Sequence, residues 1–109
     1  MSEPTTSEFF CDMTALSAPE RARHQELAKL LRPAVLETKE LADGYAARLP
    51  ADLSIVLSLA EFVMLERRCC PFFTLALELD RDDGPLWLRI TGGEGIKPFI
   101  RAEFGIAAG

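Results

Sequence analysis

The stretch DLSIVLSLAEFVMLERRCCPFFTLALEL, residues 52–79, changes its hydrophobic period once, at Pro71, and that change decides the fold. Asp52 is a good helix N-cap. Behind it Leu53, Ile55, Val56, Leu57, Leu59, Phe62, Val63 and Met64 cover nearly the full circumference of a helix. Such a helix is expected at the centre of the molecule or buried in a homodimer. Pro71 pushes Cys70 out of the α region and ends the helix, so Cys69 and Cys70 fall at its C-terminal end. From Phe73 onward the period is two: Phe73, Leu75, Leu77 and Leu79 share one face, and Thr74, Ala76, Glu78 and Asp80 the other. This alternation predicts a strand with one buried face.

Toward the C-terminus, Arg81-Asp-Asp-Gly-Pro85 reads as a turn, and Leu86, Leu88 and Ile90 alternate with Trp87, Arg89 and Thr91 as a second strand. Phe72, Phe73 and Trp87 are expected in the core. Gly92-Gly-Glu-Gly95 leads into a last helix whose apolar face is Ile96, Phe99, Ile100 and Phe104. Toward the N-terminus, Ser17-Ala-Pro-Glu20 has the form of a capping box, with Pro19 tolerated in the first turn. The helix it opens buries Leu27, Leu30 and Leu31 and is stopped by Pro33. Asp43-Gly44 predicts a type I′ turn between strands at Val35 to Leu41 and Tyr45 to Leu49. The order is α-β-β-α-β-β-α, an α+β fold with helices on one face of a four-stranded antiparallel sheet. Residues 1–8 read as a flexible leader and residues 9–109 as a single domain.

The 109 residues are 49% hydrophobic, enough for one core, and carry 17 acidic against 12 basic side chains. The resulting charge of −5 opposes nucleic acid and anionic membranes as partners. The longest apolar run, Leu53 to Leu65, is broken by Ser54, Ser58 and Glu61 and is too short for a membrane span. The first residues lack the basic and apolar regions of a signal peptide, so a cytoplasmic location is expected. In that compartment three cysteines are expected as free thiols, metal ligands or redox groups.

Chemistry therefore rests on Glu66-Arg67-Arg68-Cys69-Cys70. One helical turn separates Glu66 from the cysteines, so a carboxylate overlooks two thiols. The helix C-terminus raises a thiol pKa and Arg67 and Arg68 lower it, which leaves the thiolate character open. Cys11, with Met13 beside it, offers a third sulfur. Soft sulfur ligands select thiophilic ions, so Cys11, Cys69 and Cys70 are candidate ligands for Cu(I), Hg(II) or As(III), with Glu66, Met13 and His24 as further candidates. Zinc is a weaker reading, because His24 lies inside the first helix and no Cys-x-x-Cys pair exists. Two alternatives stay open. One is a thiol redox enzyme using Cys69 and Cys70 with Glu66 as base and Arg67 as neighbouring cation. The other is a homodimer in which the cysteines only pack. Gly92-Gly-Glu-Gly95 lacks the Lys and Ser/Thr of a phosphate loop, and no dinucleotide fingerprint is present, so no nucleotide cofactor is expected.

The strings Cys-Asp-Met-Thr-Ala-Leu-Ser-Ala-Pro-Glu-Arg-Ala-Arg-His (11 to 24), Asp-Gly-Tyr-Ala-Ala-Arg-Leu (43 to 49), Glu-Arg-Arg-Cys-Cys-Pro-Phe-Phe (66 to 73) and Trp-Leu-Arg-Ile-Thr-Gly (87 to 92) resemble a group of small uncharacterised bacterial proteins. The resemblance implies a bacterial cytosolic single-domain protein and carries no activity, cofactor or catalytic residue.

Overall fold

The computed structural model describes residues 9–106; the expected leader, 1–8, lies outside the described residues. Three helices and four strands follow in the expected order: α1 (Ala18–Leu31), β1 (Glu37–Leu41), β2 (Gly44–Leu49), α2 (Leu53–Cys69), β3 (Thr74–Leu79), β4 (Leu86–Thr91) and α3 (Ile96–Phe104). The capping box forms as the sequence indicates, with the Ser17 Oγ accepting from the Glu20 N–H and a Glu20 carboxylate oxygen accepting from the Ser17 N–H. The Asp52 side chain accepts from the Ile55 N–H and starts α2. A one-turn 3-10 helix, Arg32–Ala34, carries Pro33 past the end of α1.

The sheet is antiparallel throughout, in the order β1-β2-β4-β3. The two hairpins therefore join through β2 and β4, with Tyr45 opposite Ile90, Ala47 opposite Leu88 and Leu49 opposite Leu86. Leu86, Leu88 and Ile90 are buried with Leu27, Leu31, Leu59, Phe62, Ile96 and Ile100 in one core. Lys97 pairs with Glu40, and the Tyr45 hydroxyl accepts from Arg101, which fastens α3 to the first hairpin.

Several expectations are corrected in detail. The first hairpin turns at Ala42-Asp43, neither with positive φ, so it is not the type I′ turn expected at Asp43-Gly44. Gly44 instead opens β2, where a Cβ would sit 2.0 Å from the Ile90 carbonyl oxygen. Left-handed residues occur in the second hairpin, at Asp82 (φ 62°) and Asp83 (φ 54°), closed by the Gly84 N–H donating to the Arg81 carbonyl. Trp87 lies on the outer sheet face, half-buried beneath Lys39, because the register assigns the buried face of β4 to Leu86, Leu88 and Ile90. The covering of α2 is also incomplete: Leu53, Leu57 and Met64 are exposed, as are Leu77 and Leu79 of the edge strand β3. Among the described residues, no helix is long and apolar enough to cross a membrane.

Candidate functional site

The site is built where the segment before α1 returns to the C-terminal end of α2. The last turn of an α-helix leaves carbonyls without intrahelical partners. Cys69 is one such residue, and its carbonyl accepts from the Asp12 N–H at 2.8 Å. Arg68 ties the same region down, donating to the Ala15 carbonyl and to Glu20. Asp12 accepts from the Thr14 N–H and caps a one-turn 3-10 helix, Met13–Ala15, for which the sequence reading had no place. On the other side Phe9 packs against Phe72 and Phe99, with ring centroids 5.4 and 6.1 Å apart. Polar ties and an aromatic contact thus bracket Cys11.

Cys70 is the sulfur next to both of the others. Cys11 and Cys70 form a disulfide, and Cys69 remains a free, buried thiol. Its Sγ is 3.8 Å from that of Cys70, and the thiol donates to the Glu66 carbonyl. The disulfide departs from the free-thiol expectation, because the backbone ties bring two positions 59 residues apart in sequence to a Cα separation of 4.7 Å. Such proximity is what a bridge requires. The open sign of the Cys69 pKa is settled as well. Burial and the negative charge of Glu66 push the thiol up to about 11, and Arg68 opposes this only weakly. Arg67 is exposed, on the outward side of α2.

Glu66 is the hub of the site. It is 1% exposed, and its Oε1 lies 2.7 Å from the Nε2 of His24, whose ring stacks on Phe62 at 5.0 Å. Among the described residues the Glu66 Oε2 has no hydrogen-bond partner. Two groups surround it. Ligand atoms of His24, Glu66 and Cys69 lie within 4.8 Å of one another, and so do those of Cys11, Glu66, Cys70 and Glu103. Both are placed to hold a metal ion, the second only if its disulfide is open, since a thiolate and not a disulfide sulfur is the strong ligand. Met13 is half-buried and packs against the core, in neither group.

Sequence reasoning reached Cys11, Cys69, Cys70 and Glu66 and gave His24 a minor place. It missed the contact of His24 with Glu66, which crosses from α1 to α2. It also missed Glu103, half-buried, whose pKa is raised by burial and by Glu66. A signal for Glu103 was present: it stands four residues after Phe99 and three after Ile100, on the apolar face of its helix. No family model matches the chain, and no curated protein or solved structure matches it.

Proposed function

We propose that the protein binds a thiophilic metal or metalloid, As(III) before Cu(I) or Hg(II), through Cys11, Cys69 and Cys70 once the Cys11–Cys70 bond is reduced. What supports this reading is that the Cys70 sulfur is bonded to that of Cys11 and lies 3.8 Å from that of Cys69, so a small shift of Cys11 or Cys69 on reduction completes the trio. A dithiol reductant delivers two electrons and two protons to the disulfide and leaves as its own disulfide. Arsenous acid then exchanges its three hydroxyls for three thiols: As(OH)3 and three R–SH give As(SR)3 and three waters. The product is neutral. A Cu(I) centre with three thiolates carries two negative charges, which a buried site beside Glu66 disfavours. In this reading the protein works in the cytoplasm, where thiols are kept reduced.

The test is anaerobic titration of reduced protein with arsenite, counting free thiols. The expected result is one As(III) per chain with all three thiols blocked, affinity reduced at least a hundredfold by Cys11→Ser, and no binding to the oxidised protein. Unchanged stoichiometry and affinity in Cys11→Ser sinks the three-sulfur site. Retained Hg(II) binding by that variant is consistent with the reading, because two thiolates already neutralise Hg(II).

The redox-enzyme reading is weakened at Cys69. With a thiol pKa of about 11, the thiolate fraction at pH 7 is about one in ten thousand. A homodimer draws support from the exposed Leu53, Leu57 and Met64 of α2 and, separately, from the exposed Leu77 and Leu79 of edge strand β3. Sedimentation of the native chain and of Leu57→Glu tests it: a dimer that the variant dissociates supports it, and a monomer at high concentration removes it.

A further inference from the structure

The fold leaves a cavity of about 100 Å³ between α1, α2, α3 and the buried face of β2 and β4. Its wall is apolar over most of its extent, with Leu31, Leu49, Phe62 and Leu88 among the lining side chains. One region of the lining is acidic. Glu66 and Glu103 both face the cavity, and a carboxylate oxygen of each lies within 4.8 Å of the other. His24 occupies the Glu66 Oε1, whereas Oε2 is buried with no partner among the described residues. Buried acceptors are almost always satisfied, so an orphan in a cavity wall calls for a donor from outside the chain. Arg32, also on the lining, is exposed and directs its guanidinium to the Glu103 carbonyl.

We infer that this cavity binds a small organic cation, a primary alkylammonium of about four heavy atoms, with its nitrogen between Glu66 and Glu103 and its chain along the apolar wall. The spacing suits an ammonium. A charge-assisted N–H···O bond is about 2.8 Å long, so one nitrogen serves two oxygens up to about 5.6 Å apart. Ca²⁺ or Mg²⁺ suits the place less well, because each wants six or more oxygen ligands and an apolar wall supplies none. Size follows from comparison: an apolar cavity of about 150 Å³ accepts benzene, with six heavy atoms, so about 100 Å³ accepts about four. Two acceptor oxygens also set the kind of ligand, since a carboxylate brings no donor and an alcohol brings one O–H where an ammonium brings three N–H. The site uses no cysteine, so it stands or falls separately from arsenite binding.

The experiment uses the oxidised, full-length chain, in which Cys11 and Cys70 are bonded. Backbone amide resonances are followed during titration with n-propylammonium chloride at constant ionic strength, with n-propanol and propionate as controls. Saturable shifts at residues such as Leu31, Phe62 and Glu103 are expected, with n-propanol binding at least tenfold more weakly and propionate not at all. Glu66→Gln and Glu103→Gln should each weaken the ammonium at least tenfold; if Glu66→Gln fails to fold, Glu103→Gln decides. Equal binding of n-propanol, absence of saturable shifts, or unchanged affinity in the folded variants overturns the inference. So does a Ca²⁺ titration that reproduces the same shifts at lower concentration.

Discussion

Replacing His24 with Leu isolates the energetics of the buried pair. The two side chains are 13% and 2% exposed, and the His24 Nε2 is the one hydrogen-bond partner that Glu66 has through its carboxyl group among the described residues. Breaking a buried pair from one side leaves a carboxyl group with no partner, which costs about 3–5 kcal/mol. Loss of the stacked contact with Phe62 adds about 0.5–1.5 kcal/mol, and the new apolar side chain recovers part of this by burial. The expected net loss is about 3 kcal/mol, or a fall in Tm of roughly 10–15 °C for a chain of this length. Glu66→Leu alone should cost less, because the half-buried imidazole can turn its nitrogen toward water. The double variant, His24→Leu with Glu66→Leu, should be more stable than His24→Leu alone, since no buried polar group is then unpaired. Urea unfolding of the oxidised protein at pH 7, with equal m-values, gives all three numbers. A His24→Leu cost below about 1 kcal/mol, or a double variant less stable than that single one, would refute the reasoning.

Cys11→Ser, or reduction, removes a link closing a loop of 59 residues and should cost about 4 kcal/mol by chain entropy, read from urea unfolding with and without dithiothreitol. Alkylation of Cys69 by iodoacetamide in the native state should be very slow at pH 7 and rise about tenfold per pH unit toward 11. Because that thiol is raised from 9.0, its contribution to stability is present below 9 and is lost as pH rises toward 11; Cys69→Ala should flatten the loss. Glu20 behaves with the opposite sign. Arg68 and the Ser17 N–H lower its pKa from 4.5 to about 2, so its contribution is present above 4.5 and lost as pH falls toward 2, and Glu20→Gln should reduce the acid slope in a pH-dependent melt. Asp83→Gly, at a left-handed residue of the β3–β4 turn, should stabilise by about 0.5 kcal/mol, measured by thermal unfolding.

The structure bears out the fold class because its signals are local. A capping box, an Asp N-cap, Pro71 after Cys70, and the change from a helical to an alternating period each act over a few residues. The type I′ expectation failed for a related reason: Asp-Gly is a preference of isolated hairpins, and the tight approach of Gly44 to Ile90 reset the turn by one residue. Trp87 was misplaced because alternation identifies two faces without saying which one carries the large aromatic.

The sequence by itself determined the elements, their order and the nearness of Glu66 to Cys69, since residues one helical turn apart meet whatever surrounds them. Tertiary structure alone decided the strand order β1-β2-β4-β3, the bond between Cys11 and Cys70, and the meeting of His24 and Glu103 with Glu66. Each of these joins side chains or strands from separate parts of the chain. Their distances depend on how α1, α2 and α3 pack over one sheet, and no periodicity within a single element encodes that packing.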